Sequence, residues 1–134
     1  MIVMVMDGQG GGIGAAIIKG LREKYGNDLE IYALGTNSIA TSNMMKSGAN
    51  KGATGENAII RNCTIVDIII GPVAIIMANA MMGEVTAGMS EAVCSSPARK
   101  ILIPLTQENV DIVGITGEPL PHMVQKAVKS IKEV

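Results

Sequence analysis

Aromatic residues are almost absent from this sequence, and neither sign of charge is in excess. Its 134 residues include two tyrosines, Tyr25 and Tyr32, and no tryptophan or phenylalanine. There are 11 lysines and arginines against 12 aspartates and glutamates, and like charges form no runs. Stacking platforms for bases and a basic surface for phosphate backbones are therefore missing, so we expect neither nucleic acid nor an anionic membrane as partner.

Cysteine and histidine are also scarce. Cys63 and Cys94 stand far apart without a CxxC spacing, so we expect both to be reduced and buried, as in a cytoplasmic protein. His122 is the single histidine and follows Pro121 at a predicted helix start. One histidine without clustered cysteine or aspartate predicts no metal site. The first residues have no basic segment and no small-residue cleavage site, so no signal peptide is expected.

One long apolar stretch, residues 65–82, has the hydropathy of a membrane span. Gly71 and Pro72 interrupt it, and Asp67 would be costly in lipid. We therefore interpret it as a buried strand followed by a buried helix.

Short apolar runs alternate with helical periodicity along the whole chain. Continuous apolar runs are typical of strands that helices cover on both faces. The predicted strands are Ile2–Met6, Glu30–Leu34, Ile65–Ile70, Ile101–Leu105 and Val110–Ile115. The predicted helices run from Ile13 to a cap at Gly26, from Ile39 to Lys46, from Thr54 to about Asn62, from Val73 to Met82, from Ser90 to Ser95, and onward from Pro121.

This alternation predicts a single α/β domain over residues 1–134. Its architecture is a three-layer, doubly wound and mostly parallel five-stranded sheet, Rossmann- or flavodoxin-like, with strand order 2-1-3-4-5. The fifth strand, Val110–Ile115, follows the fourth after only Thr106 to Asn109. A parallel crossover needs a longer connection, so this last strand is expected to be antiparallel at the edge.

A glycine-rich run lies between predicted strand one and helix one. It comprises Asp7, Gly8, Gln9, Gly10, Gly11, Gly12, Ile13 and Gly14. Glycine permits positive φ and a close approach of backbone N–H groups to a phosphate, and a helix N-terminus adds partial positive charge. We predict that this glycine loop, Asp7 to Gly14, binds the phosphate of a nucleotide or dinucleotide. The alternative is a glycine turn that only packs the helix against the strand.

The glycine loop resembles the cofactor loop of the short-chain dehydrogenase/reductase family, with Asp7 where that family usually has threonine. The resemblance covers about the first third of the chain and Val66–Gly71, but that family's Tyr-x-x-x-Lys pair is absent. No Gly-Lys-Ser/Thr follows the glycines, so a Walker A loop is excluded. Thr36 and Asn37 stand where an NAD site usually carries an acid, which leaves NADP, another nucleotide or a smaller phosphorylated metabolite open as ligand.

Over its full length the chain is similar to a family of short bacterial proteins catalogued as a domain of unknown function. The matching runs are Asp7–Gly14, Leu34–Asn37, Gly52–Ile59, Ile69–Pro72 and Ser95–Lys100. The resemblance implies membership of that family and no particular reaction, because none is assigned to it.

A second polar segment, Asn50 to Asn57, has the composition of a loop. One interpretation is a lid that closes over the ligand, with Lys51 or the Thr54 hydroxyl meeting the phosphate and Glu56 and Asn57 nearby. The other is that Thr54 caps a short helix.

Gly71 and Pro72, at the end of predicted strand three, are further candidates to line the pocket. The leading hypothesis is a nucleotide- or dinucleotide-binding protein. The second is a small enzyme, a reductase or transferase acting on a phosphorylated metabolite. Lys51, Glu56 or Asp7 would then be the polar residues that take part in its reaction. The third is a non-catalytic subunit that assembles through Pro72–Met82. A homo-oligomer, dimer or larger, is expected.

Overall fold

The central sheet contains five strands within residues 1–105 and 108–131, the part of the chain that the computed structural model describes. The strands are β1 (Ile2–Asp7), β2 (Glu30–Gly35), β3 (Lys51–Thr54), β4 (Ile68–Pro72) and β5 (Arg99–Ile103). Their order is β3-β2-β1-β4-β5, and every pairing is parallel. This is the order of a doubly wound α/β sheet, which confirms the predicted fold class.

Helices cover both faces of the sheet because β1 and its neighbours are apolar on both sides. The helices are α1 (Gly12–Tyr25), α2 (Ser38–Lys46), α3 (Glu56–Cys63), α4 (Ala87–Ser95) and α5 (Leu120–Ser130), with a short 3₁₀ helix at Val73–Ile76. Val3 and Val5 pack with α1 and α5 on one face. Met4 and Met6 pack with α3, α4 and the 3₁₀ helix on the other. Because side chains alternate along β1, this strand contributes to two separate cores, one on each face of the sheet.

The fifth strand is not the one that the sequence predicts. Val110–Ile115 is not a strand, and no antiparallel pairing occurs among the described residues. The additional strand is β3, beside β2, with Lys51 opposite Tyr32 and Thr54 opposite Gly35. An edge strand of polar and small residues has no apolar pattern to reveal it, whereas the apolar run at Val110–Ile115 has no strand partner in the described chain.

Two helix predictions also need correction. The predicted helix Val73–Met82 is a 3₁₀ helix that ends at Ile76 and continues as turns. The helix α3 begins after Gly55 rather than at a Thr54 cap, and the Thr54 hydroxyl lies 2.7 Å from that of Thr41. No helix in residues 1–105 and 108–131 is long and apolar enough to cross a membrane.

The segment between the 3₁₀ helix and α4 matters most for the site. Asn79, Met81 and Met82 have φ of 69°, 56° and 57°, a left-handed conformation that non-glycine residues rarely adopt. We call residues 77–85 the crossing loop, because it carries Glu84 from the β4 side of the sheet to the end of β2.

Candidate functional site

A cavity of about 540 Å³ lies at the carboxyl ends of β1, β4 and β5. It is lined by Asp7, Gly8, Gln9, Gly10, Gly11, Gly12, Ile13, Pro72, Ala74, Asn79, Met81, Met82, Leu105 and Glu108. The chain winds from β1 toward β3 on one side and from β4 to β5 on the other, so the winding direction changes between β1 and β4. Doubly wound sheets bind ligands at this switch point. We call it the switch-point cavity.

The glycine loop presents a bare backbone to this cavity. Gly11 has φ of 73° and would bring a Cβ within 2.8 Å of the Ala40 backbone, so only glycine fits there. At Gly10 and Gly12, by contrast, an added Cβ would meet no atom within 4 Å. The N–H groups of Gly10 and Gly12 donate to no acceptor among the described residues. The loop thus offers two unpaired N–H donors on residues that line the cavity.

Asp7 satisfies other donors of the same loop. Its buried carboxylate accepts hydrogen bonds from the N–H of Gly8 at 2.8 Å and from the N–H of Gly14 at 2.7 Å. Burial raises the pKa of Asp7, and the negative charge of Glu84 adds to the rise, while the N–H groups of Gly14, Gly8 and Ile13 oppose it. A protein carboxylate therefore already occupies part of the N-terminus of α1, and the amides it uses are closed to a ligand.

Glu84 is the site residue that the sequence does not reveal. Its Oε1 accepts hydrogen bonds from the Gln9 N–H at 2.8 Å, the Thr36 hydroxyl at 2.7 Å and the Asn37 side-chain amide at 2.8 Å. Burial opposes ionisation of this carboxyl, but the three hydrogen bonds outweigh it and lower the pKa of Glu84. Seventy-five residues separate Gln9 from Glu84, so no local pattern could have identified the contact.

Acidic groups also dominate the charge of the cavity wall. The Glu108 carboxylate accepts a hydrogen bond from the Met81 N–H at 2.6 Å, which ties the crossing loop to the segment after β5. Asp7 and Glu108 are the charged side chains among the described lining residues, and no lysine or arginine joins them. Within residues 1–105 and 108–131, no three histidine, cysteine, aspartate or glutamate side chains lie close enough together to hold a metal ion.

The structure brings together most of the residues predicted in the first loop. Those from Asp7 to Ile13 line the cavity with Pro72. Gly14 lies behind the loop, packed between Met44 and Asp7. Thr36 and Asn37 bond the glycine loop directly and also through Glu84, but they do not line the cavity. Gly71 is buried in β4 and is likewise not part of the cavity wall.

The second predicted segment lies elsewhere. The Lys51 ammonium is 4.0 Å from a Glu30 carboxylate oxygen and lies over the Tyr32 ring, at the amino end of β3. The prediction of a loop is wrong here, because Lys51–Thr54 is a strand held by β2. It does not reach the cavity, which lies at the carboxyl ends of other strands.

The last two predicted residues of this segment lie at the start of α3. Both Glu56 and Asn57 are exposed there, and the Glu56 carboxylate contacts Gly88 of α4. Neither residue lines the switch-point cavity.

Fold and site together define a doubly wound α/β protein with a glycine loop at its switch-point crevice. The chain belongs to the family described as domain of unknown function DUF3842, whose model matches residues 2–134. This confirms the full-length resemblance. A search of curated protein sequences finds no match. Among solved structures, the chain is similar to the dodecameric FMN-dependent Ubix-like decarboxylase from Escherichia coli O157:H7, with 15% identity, coverage of 98% of this chain and 75% of that chain, and a TM-score of 0.47.

Proposed function

We propose that this protein binds a phosphorylated ligand of mononucleotide size in the switch-point cavity. The observation that carries the proposal is the open backbone of the glycine loop. Gly10 and Gly12 each have an N–H group without an acceptor among the described residues, both line the cavity, and an added Cβ at either would meet nothing within 4 Å. Unpaired N–H groups at the start of a helix are the usual protein contacts of a phosphate.

The size and polarity of the cavity support the same class of ligand. Its volume of about 540 Å³ falls within the range of roughly 300–1,000 Å³ that is common for small-molecule sites. Pro72, Ala74 and Met81 supply an apolar wall, while the polar groups lie on the glycine loop and at Asn79 and Glu108. A ligand with a flat ring at one end and a phosphate at the other matches this division.

The charge of the cavity limits how much negative charge a ligand can carry. Among the described lining residues the charged ones, Asp7 and Glu108, are acidic, so the proposal assigns the phosphate to the backbone dipoles of the loop and of α1. Such dipoles contribute only about 0.3–1 kcal/mol each near a surface, up to about 2 kcal/mol when partly buried. We therefore expect one phosphate group to be preferred over a triphosphate.

Isothermal titration calorimetry with AMP, GMP and FMN tests the proposal. Gly12→Val fills the space beside the free N–H groups, and Gly117→Val is the matched control, because an added Cβ at Gly117 also meets nothing within 4 Å. We expect Gly12→Val to lose roughly tenfold or more in affinity. Gly117→Val should bind as the wild type does, and both variants should keep its melting temperature.

Two results would count against the proposal. Unchanged affinity in Gly12→Val would show that the glycine loop does not contact the ligand. Failure of the wild type to bind any of the three ligands would remove the function itself.

A second candidate function, an enzyme acting on a phosphorylated metabolite, is favoured by Asp7. This buried carboxyl lines the cavity, and burial raises its pKa, as expected of an acid–base group. NMR can follow the ligand during incubation with the wild type and with Asp7→Asn. Consumption by the wild type alone would support an enzyme, whereas a stable ligand would leave binding as the function.

A further inference from the structure

We propose that Glu84 is an internal plug: its carboxylate occupies an anion subsite at the carboxyl end of β2 and confines the ligand to the switch-point cavity. The subsite consists of the Gln9 N–H, the Thr36 hydroxyl and the Asn37 side-chain amide, and we call it the β2 subsite. Its existence is independent of the proposed function, whereas its consequence for ligand size rests on that function.

Three donors converge on a single oxygen of Glu84. The donor–acceptor distances are 2.8 Å from Gln9, 2.7 Å from Thr36 and 2.8 Å from Asn37. The same kinds of donor, a backbone N–H, a hydroxyl and an amide, bind the oxygens of phosphate and sulfate. The carboxylate therefore stands where an oxygen of an external anion would be held.

The donors keep their positions through contacts that do not involve Glu84. The Asn37 Oδ1 accepts from the Ala40 N–H at 2.9 Å as the N-cap of α2, and its Nδ2 also donates to the Gln9 carbonyl at 2.9 Å. The Thr36 N–H donates to the Asp7 carbonyl at 3.0 Å. Gly8 forms the floor, since a side chain there would collide with the Thr36 hydroxyl. Removing Glu84 thus leaves an organised donor set.

The electrostatic character of the subsite suits an anion. The three donors lower the pKa of Glu84 despite its partial burial, so the site stabilises negative charge. The negative charge of Glu84 contributes to the raised pKa of Asp7, whose own carboxylate accepts hydrogen bonds from the Gly8 and Gly14 amides. Because the plug is itself charged, a second anion is excluded by repulsion as well as by space.

The plug has a consequence for the length of the ligand. In doubly wound sheets that bind dinucleotides, the ligand extends from the glycine loop toward the end of the second strand. Here the crossing loop places Glu84 between those two points, over Gly8 and against Thr36. The wild type is therefore expected to accept mononucleotides and to reject NADP.

Inorganic sulfate is the probe for the subsite, with the amide resonance of Gln9 as the readout in a ¹H–¹⁵N NMR titration. Glu84→Ala should show a saturable shift of the Gln9 amide. The wild type should not, and neither should Glu91→Ala, which removes an equal charge from an exposed position on α4. A Gln9 amide that ignores sulfate in a folded Glu84→Ala protein, or that responds equally in the wild type, overturns the proposal.

If Glu84→Ala does not fold, Glu84→Gln takes its place. The amide removes the charge but keeps the length of the side chain, so only the repulsion is lost, and a saturable sulfate shift of the Gln9 amide that the wild type lacks should appear. A wild-type response in Glu84→Gln overturns the proposal as well.

Ligand selectivity is the second arm of the experiment. With AMP and NADP as probes in calorimetry, Glu84→Ala should gain roughly tenfold or more in NADP affinity relative to AMP. No gain in NADP binding contradicts the size limit. Failure of AMP to bind the wild type contradicts the proposed function instead. In that case the sulfate titration still tests whether Glu84 occupies an anion subsite.

Discussion

At the scale of single residues, two carboxylates compete with any ligand for the amides of the glycine loop. Asp7 binds the N–H groups of Gly8 and Gly14, and Glu84 binds that of Gln9. A glycine-rich sequence gives the number of amides that could meet a phosphate. The number of amides that can bind a phosphate is smaller, because the carboxylates of Asp7 and Glu84 already accept hydrogen bonds from some of them.

Gly11 and Gly10 provide a matched test of the loop backbone. Gly11→Ala should destabilise the protein by about 2 kcal/mol or more, because left-handed φ costs an alanine roughly 1–2 kcal/mol and its Cβ would meet the Ala40 backbone. Gly10→Ala should be neutral or up to about 1 kcal/mol stabilising, since its Cβ meets nothing. Urea denaturation measures both changes, and equal effects would contradict the loop conformation.

Glu84 should make stability depend on pH in a defined direction. Its pKa in the folded protein lies below the ordinary value of 4.5, so its contribution is present above that pH and is lost as the pH falls through the folded pKa. Glu84→Gln should therefore be less stable than the wild type at neutral pH, and the difference should shrink below pH 4.5. Asp7 has a raised pKa, to which Glu84 contributes, so its own effect on stability has the opposite pH dependence. The difference between the two proteins therefore reports Glu84 together with its effect on Asp7.

Melting temperatures measured from pH 7 to pH 3 provide the comparison, with Glu91→Gln as the exposed control. A difference between wild type and Glu84→Gln that stays constant over this range would contradict the assigned hydrogen bonds.

At the scale of elements, the sequence predicts the strands that contain an apolar run, including the edge strand β5, where the predicted Ile101–Leu105 overlaps the observed Arg99–Ile103. Continuous apolar runs place β1, β2 and β4, because a strand covered on both faces leaves a strong local signal. The edge strand β3 carries exposed Lys51 and Gly52 and leaves none. For the crossing loop the prediction is wrong for the opposite reason. Its apolar residues have the pattern of a helix, but Met81 and Met82 adopt a left-handed backbone conformation.

Hydrogen exchange in the absence of ligand tests the status of β3. The N–H of Asn50 donates to Ile31 O at 2.8 Å and the N–H of Gly55 donates to Gly35 O at 2.9 Å. Both amides should exchange more slowly than those of Val113 and Gly114, which lie in an exposed segment without regular structure. Similar rates at all four positions would indicate a mobile loop and contradict the strand.

At the scale of the whole molecule, the sequence predicts where the candidate site lies in the fold, but it does not predict the contact of Glu84 with the glycine loop. A glycine run after the first strand of a doubly wound sheet must lie at the carboxyl edge, where Pro72 also ends β4. The end of β2 has no acid of its own sequence, but the carboxylate of Glu84 lies there, although Glu84 is distant in the chain. Lys51 has the chemistry of a phosphate partner, but strand direction places it at the opposite end of the sheet.

Several apolar side chains are exposed on the surface, and two of them, Met82 and Leu105, line the cavity. Met82 and Val113 are 97% and 98% exposed, and Leu105, Val110 and Ile112 are exposed nearby in sequence. Apolar surface of this kind is typical of contacts between subunits, so we expect a homo-oligomer in solution. Light scattering coupled to gel filtration should show a dimer or larger, and Val113→Lys should shift it toward the monomer. A monomeric wild type would contradict this expectation.

The most direct test of the central claim is a ¹H–¹⁵N NMR titration of the wild type with AMP and FMN. Among residues 1–105 and 108–131, no acceptor pairs with the loop amides of Gly10 and Gly12. If the switch-point cavity binds a phosphate, these two amides should show the largest saturable shifts, with smaller changes along the wall at Ala74 and Met81. Saturable binding that leaves Gly10 and Gly12 unmoved, or an absence of binding by either ligand, would contradict the account.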